Sequence, residues 1–129
     1  MEQNLNVGME YSFEQVVTQE LSAMAVGSGS VPVFATPHMI AFMERAAEQS
    51  VISGLAEGLG TVGTVVNIEH MAATPIGMKV TAKAVLREID GRRLVFDVEA
   101  HDEREMIGRG VHERFVIQKE KFMARVNAK

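Results

Sequence analysis

From Met78 to Leu86 the chain alternates strictly, with Met78, Val80, Ala82, Ala84 and Leu86 set against Lys79, Thr81, Lys83 and Arg87. Only Val85 breaks the polar side. A period of two marks a half-buried antiparallel strand. Asp90-Gly91 then predicts a hairpin turn. A second alternation follows, Leu94, Phe96, Val98 and Ala100 against Val95, Asp97, Glu99 and His101. The polar turn Asp102 to Glu105 leads to a last strand from about Met106 to Gln118, where Gly108 and Gly110 signal a bulge or bend. Upstream, Val62 to Met71 is rich in Val, Thr and Ile and reads as a strand. Gly8 to Val17 reads as another, with Met9, Tyr11, Phe13 and Val17 near one side.

Between these strands the period changes. Gly27-Ser28-Gly29-Ser30, followed by Val31-Pro32, reads as a flexible surface loop. Thr36-Pro37 is a helix start, with the hydroxyl as N-cap and proline at the first helical position. The helix is expected to run to Gly58 or Gly60. Ile40, Met43, Ala47, Val51, Gly54 and Leu55 share one face, while Phe42, Ala46 and Ile52 lie elsewhere. Apolar residues therefore wrap much of the helix, which must be mostly buried. The predicted fold is α+β: one long central helix wrapped by a curved antiparallel sheet of five or six strands. One helix covers one face only and an edge strand stays open, so pairing with a second copy is expected.

Composition narrows the class. The 129 residues suit a single domain spanning 1–129, and 47% hydrophobic with 23% charged residues describes a globular chain. No cysteine is present, which excludes disulfides, a thiol nucleophile and thiolate metal ligands. Met1 to Gly8 has no basic-then-apolar leader, and no run reaches the ~18 apolar residues of a membrane helix, so the cytosol is the expected location. A net charge of -4 argues against a nucleic-acid partner. His101-Asp102 and His112-Glu113 place neighbours on opposite strand faces, so no metal site is expected. Gly27 to Ser30 lacks the lysine and the strand–helix context of a phosphate loop.

Three polar residues break the pattern. Glu44 lies about 40° round the helix from Ile40, inside the apolar stripe. A carboxylate there must pair or face a wet cleft. A snorkelling Glu paired with Arg45 would be the structural explanation; an active-site carboxylate is the functional one. His70 shares the inward parity of Val66 and Ile68, and an imidazole titrating near ~6.5 suits proton transfer. Thr36 explains itself as a cap, yet it also sits where free N–H groups and the positive helix end could stabilise an oxyanion, with His38 and Met39 offering the nearest donors.

These residues fall within motifs that resemble the fluoroacetyl-CoA-specific thioesterase-like family of hot-dog-fold proteins. Val33-Phe34-Ala35-Thr36 with Met43-Glu44-Arg45-Ala46 resembles its helix start and core. Glu69-His70-Met71-Ala72-Ala73-Thr74-Pro75 is similar to its strand and turn. Asp90-Gly91-Arg92-Arg93-Leu94, Ala100-His101-Asp102, His112-Glu113-Arg114 and Glu120-Lys121-Phe122 extend the likeness over roughly Gly8 to Val126.

The resemblance implies a dimeric acyl-CoA thioesterase with Thr36, Glu44 and His70 as catalytic residues at the dimer interface. It places Gly63 and Arg114 at the acyl pocket, and Phe34 joins them as a substrate-binding residue. Coenzyme A enters as part of the substrate and no cofactor is implied. Pairing of dimers into a tetramer is left open. The family's fluoroacetyl-specific enzyme has phenylalanines before its helix as a lid. Here Gly27, Ser28, Gly29 and Ser30 stand there, and Pro37-His38 replaces a smaller residue after Thr36. A different acyl group, of short or medium chain, is therefore expected. A non-catalytic acyl-CoA-binding module and an enoyl-thioester hydratase are the alternatives.

Overall fold

A computed structural model describes residues 4–129. The reading of Met1 to Gly8 as leaderless therefore lies partly outside the described residues. Five strands form one antiparallel sheet: β1 Glu10–Val16, β2 Leu59–His70, β3 Lys79–Asp90, β4 Arg93–His101 and β5 Met106–Gln118. Their spatial order is β1-β3-β4-β5-β2. Three α-helical segments accompany them: a short turn α1 Ala23–Val26, the long helix α2 Thr36–Val51, and α3 Lys119–Asn127.

The alternation read from the sequence decides which face meets the helix. On β3, Val80, Ala82, Ala84 and Leu86 are fully buried while the residues between them are not. On α2, Met39, Phe42, Met43, Ala46, Ala47 and Val51 are buried. Both sets belong to one core cluster. Each large side chain so buried contributes about 1.5–3 kcal/mol. Small residues on both sides, Ala46 and Ala47 against Ala82, Ala84 and Ala100, let the helix lie close to the sheet.

The helix is shorter than predicted. It ends at Val51, passes through a 3-10 turn at Ile52–Gly54 and reaches β2 at Leu59. The N-terminal segment explains the stop. The Asn4 N–H donates to the Gly54 carbonyl at 2.6 Å, and a Cβ on Gly54 would stand 2.5 Å from the Asn4 oxygen. That crossing occupies the space a further helical turn would need.

The sequence pattern did not reveal α3. Gln118 caps it, its side chain accepting from the Lys121 N–H at 2.7 Å. None of its residues is fully buried, so it lacks the apolar face that a periodicity reading detects. The bend expected at Gly108 is present: against β4, Ala100 pairs with Gly108 and His101 with Met106, leaving Ile107 extra.

β2 closes one edge of the sheet, and its middle, Gly63 to Asn67, is exposed. It also carries a bulge: Gly63 pairs with Arg114 and Val65 with Glu113, so Thr64 is the surplus residue.

Candidate active site

Thr36 does not cap α2. Ala35 is the N-cap, Thr36 opens the helix, and no side chain caps the first turn. The Met39 N–H is likewise committed, donating to the Ala35 carbonyl at 3.0 Å. The Thr36 hydroxyl turns away from the helix and lies 2.7 Å from His70 Nδ1. Backbone ties hold this meeting in place. The Met71 N–H donates to the Ile107 carbonyl at 2.6 Å, and the Phe34 N–H to the Thr74 carbonyl at 2.8 Å. The end of β2 is thereby fastened beside the first turn of α2.

A cleft of about 280 Å³ opens at this pair, lined among others by Ser28, Phe34, Thr36, His70 and Ala72. Phe34 is 1% exposed, and its ring centroid lies 5.2 Å from that of Phe42, so it anchors the cleft wall to the core. No aromatic side chain from Gly27 to Ser30 can cover the cleft, since that stretch has none. Burial pushes the His70 pKa below its ordinary 6.5, with the Ala72 backbone pulling weakly the other way. The imidazole is therefore neutral at pH 7. Its Nε2 is buried and has no hydrogen-bond partner among the described residues.

A second group of residues gathers at Gly63. A Cβ built there would stand 2.9 Å from Glu44 Oε2, 3.2 Å from His112 Cε1 and 3.5 Å from Arg114 Nη1. Glycine is what lets these three converge on the strand. Arg114 is firmly held: Nε donates to Thr61 Oγ1 at 2.7 Å, and Nη2 to the Thr61 carbonyl at 2.9 Å. Its Nη1 lies 3.2 Å from His112 Nε2.

His112, which the sequence offered only as part of a family motif, is fully buried and completes this network. Its Nδ1 lies 2.8 Å from the Val65 carbonyl. A carbonyl only accepts, so Nδ1 carries the proton and Nε2 accepts from Arg114. Burial lowers the His112 pKa, and the Arg114 charge lowers it further, while the Val65 carbonyl and Glu44 oppose them. The signal that could have exposed His112 is its parity with Arg114 on β5. Glu44 is half-buried, forms no ion pair with Arg114, and makes no hydrogen bond to the described residues.

The two groups do not meet within one chain. Gly63 and His70 are seven residues apart on β2, which at about 3.3 Å per residue is roughly 23 Å. The chain holds a threonine–histidine pair at one end of β2 and a carboxylate–arginine cluster near the other.

A sheet wrapped on one helix, with acid, imidazole and hydroxyl set along its open edge strand, defines a hot-dog-fold thioesterase. The family model described as fluoroacetyl-CoA-specific thioesterase matches residues 17–120. The chain belongs to that family. It is 47% identical over 97 residues to the fluoroacetyl-CoA thioesterase of Streptantibioticus cattleyicolor, covering 75% of this chain and 70% of that protein. A solved structure of the fluoroacetyl-CoA thioesterase FlK superposes with a TM-score of 0.91 at 38% identity, over 97% of both chains. A Thermus thermophilus protein described as a thioesterase superfamily member gives 0.88 at 32% identity, over 95% of this chain and 91% of that one. A hot-dog-like protein from Thermanaerovibrio acidaminovorans, 21% identical with a TM-score of 0.86, shares the fold over 95% of this chain and 90% of its own. No helix among the described residues is long and apolar enough to cross a membrane.

Proposed function

We propose that this chain works in the cytosol as a homodimer that hydrolyses an acyl-CoA thioester, and that each active site is built from both copies. The observation that carries this reading is the buried, unpartnered Nε2 of His70. A buried polar nitrogen without a partner is costly. Its Nδ1 is engaged by Thr36, and among the described residues no carboxylate is bonded to the ring. Antiparallel pairing of two β2 edges, about a two-fold near Asn67, brings the Gly63 end of one copy beside His70 of the other. Glu44, with Gly63 and Arg114, then faces the Thr36–His70 pair of the second copy.

In that site the thioester carbonyl lies at the cleft beside Thr36. The hydroxyl and the positive end of α2 stabilise negative charge developing on its oxygen. Glu44 takes a proton from the attacking water. That proton passes through His70, neutral before and after, to the departing thiolate, so the products are a carboxylic acid and free CoA. Arg114, held by Thr61 and His112, offers its charge to the acyl end beside Gly63.

The acyl group is of short or medium chain rather than fluoroacetyl, because Gly27 to Ser30 supply no aromatic lid over the cleft. A thiol-release assay across acyl-CoA chain lengths, with fluoroacetyl-CoA included, tests both points. Hydrolysis of the panel without preference for fluoroacetyl over acetyl is expected. Tight binding with no thiol release would overturn the hydrolase reading; a strong fluoroacetyl preference would overturn the specificity.

A further inference from the structure

Two motifs singled out in the sequence take no part in the chemistry above: Ala100-His101-Asp102 and the Ala72-Ala73-Thr74-Pro75 stretch that follows β2. The fold brings them into contact. Thr74 Oγ1 donates to Asp102 Oδ2 at 2.9 Å. Thr74 is fully buried. A buried hydroxyl is costly without a partner, and a valine of the same shape would pack there with none. The carboxylate it meets explains why a hydroxyl stands at this place.

Asp102 is itself held in one orientation. Its Oδ1 accepts from the Arg104 and Glu105 N–H groups at 2.8 and 3.0 Å. Its own N–H donates to the Glu105 carbonyl at 2.9 Å. These bonds wind the β4–β5 turn around the side chain and leave Oδ2 for Thr74. Burial opposes the charge on Asp102, but the two N–H groups and the Thr74 hydroxyl outweigh it and hold the pKa below the ordinary carboxylate value. Asp102 is anionic at pH 7, so its oxygens accept and Thr74 donates.

What lies on either side of Thr74 gives the contact its consequence. Met71, Ala72 and Ala73, between His70 and Thr74, belong to no strand or helix and line the cleft. The β4–β5 hairpin grips the near end of this arc, where the Met71 and Ala72 N–H groups reach the Ile107 carbonyl at 2.6 and 3.3 Å. At the far end the Thr74 carbonyl accepts from Phe34, just before Thr36. Thr74 thus ties the hairpin, through its side chain, to the entry of α2, through its backbone. We infer that Thr74 and Asp102 are positioning residues, whose bond sets the arc after β2 so that the His70 imidazole meets Thr36 and stays shielded from water. Their effect on turnover rests on the reading of Thr36 and His70 as catalytic; their effect on the imidazole does not.

Thr74→Val removes the hydroxyl and keeps the shape, and the half-exposed Asp102 then turns its free oxygen to water. kcat for thiol release should fall about tenfold with KM little changed, because a small misplacement of a reacting group is felt in the rate. Thr74→Ser, which keeps the donor, should hold kcat near the native value. An NMR titration of the His70 ring separates positioning from plain loss of stability. In the native protein burial holds its pKa below 6.5. In Thr74→Val water reaches the loosened ring and the pKa should rise towards 6.5. Asp102→Ala, which breaks the bond from the surface side, should move both readouts the same way. A His70 titration unchanged in these two variants overturns the latch, whatever the rate of thiol release, and so does a native kcat in them. A shifted titration in a protein whose native form releases no thiol supports the latch and overturns the hydrolase reading instead.

Discussion

Thr36 Oγ1 and His70 Nδ1 lie 2.7 Å apart across 34 residues of sequence. The contact joins the first residue of the central helix to the last residue of the edge strand. It leaves the other imidazole nitrogen buried and unengaged by any described residue.

Removing either partner should cost activity more than stability, because Thr36 is exposed and His70 half-buried. His70→Ala and Thr36→Ala are each expected to lower kcat by about 10² or more. The double variant should lose little beyond the worse single one, since the pair acts as a unit. Steady-state thiol release and thermal melts check the two halves of this statement.

The shared-site arrangement makes a sharper prediction. Glu44→Gln and His70→Ala homodimers should both be nearly inactive. A mixed dimer has one site with both residues intact. Mixing equal amounts, with exchange of subunits, should restore about a quarter of native activity. No recovery after verified exchange would place Glu44 and His70 in the same protomer's site, against the present reading.

His70 and His112 together make the protein acid-sensitive. His70 and His112 have pKa values below the ordinary 6.5, each mainly through burial. In the unfolded chain they titrate near 6.5, so as pH falls below that the unfolded state takes up protons first. Their contribution is complete above pH 6.5 and is lost as pH drops towards the folded values. Urea midpoints should therefore fall between pH 7.5 and 5.5. The acid limb of kcat/KM should lie below 6.5, because neutral His70 persists there.

His112→Ala should destabilise the fold by about 1–3 kcal/mol, because it strands the Val65 carbonyl and one arm of a buried guanidinium. Equilibrium urea unfolding measures this directly. Gly63→Ala should spare the fold and depress kcat/KM, because the new methyl would stand 2.9 Å from the end of the Glu44 side chain and displace it.

Period-two alternation made the strands legible, and the last one runs from Met106 to Gln118 as read. The buried helix was legible too, because apolar residues surround it. What failed depended on contacts remote in sequence. The helix stops at Val51 because Asn4 crosses at Gly54. Thr36 looked like a cap because a hydroxyl before proline usually is one; only the fold reveals His70 beside it. The three proposed catalytic residues stood out as polar breaks in apolar patterns. His112 shares its strand parity with Arg114, but that parity alone does not show the Val65 carbonyl it bonds, which comes from another strand.

The bare centre of β2, exposed from Gly63 to Asn67, has a kinetic corollary. If the two halves of each reaction centre sit on different molecules, a solitary chain is an unfinished enzyme. Specific activity then becomes a readout of self-association: flat at high protein concentration, collapsing on dilution past the dissociation constant. The same uncovered ladder that invites aggregation in a lone subunit sets the threshold below which turnover ceases.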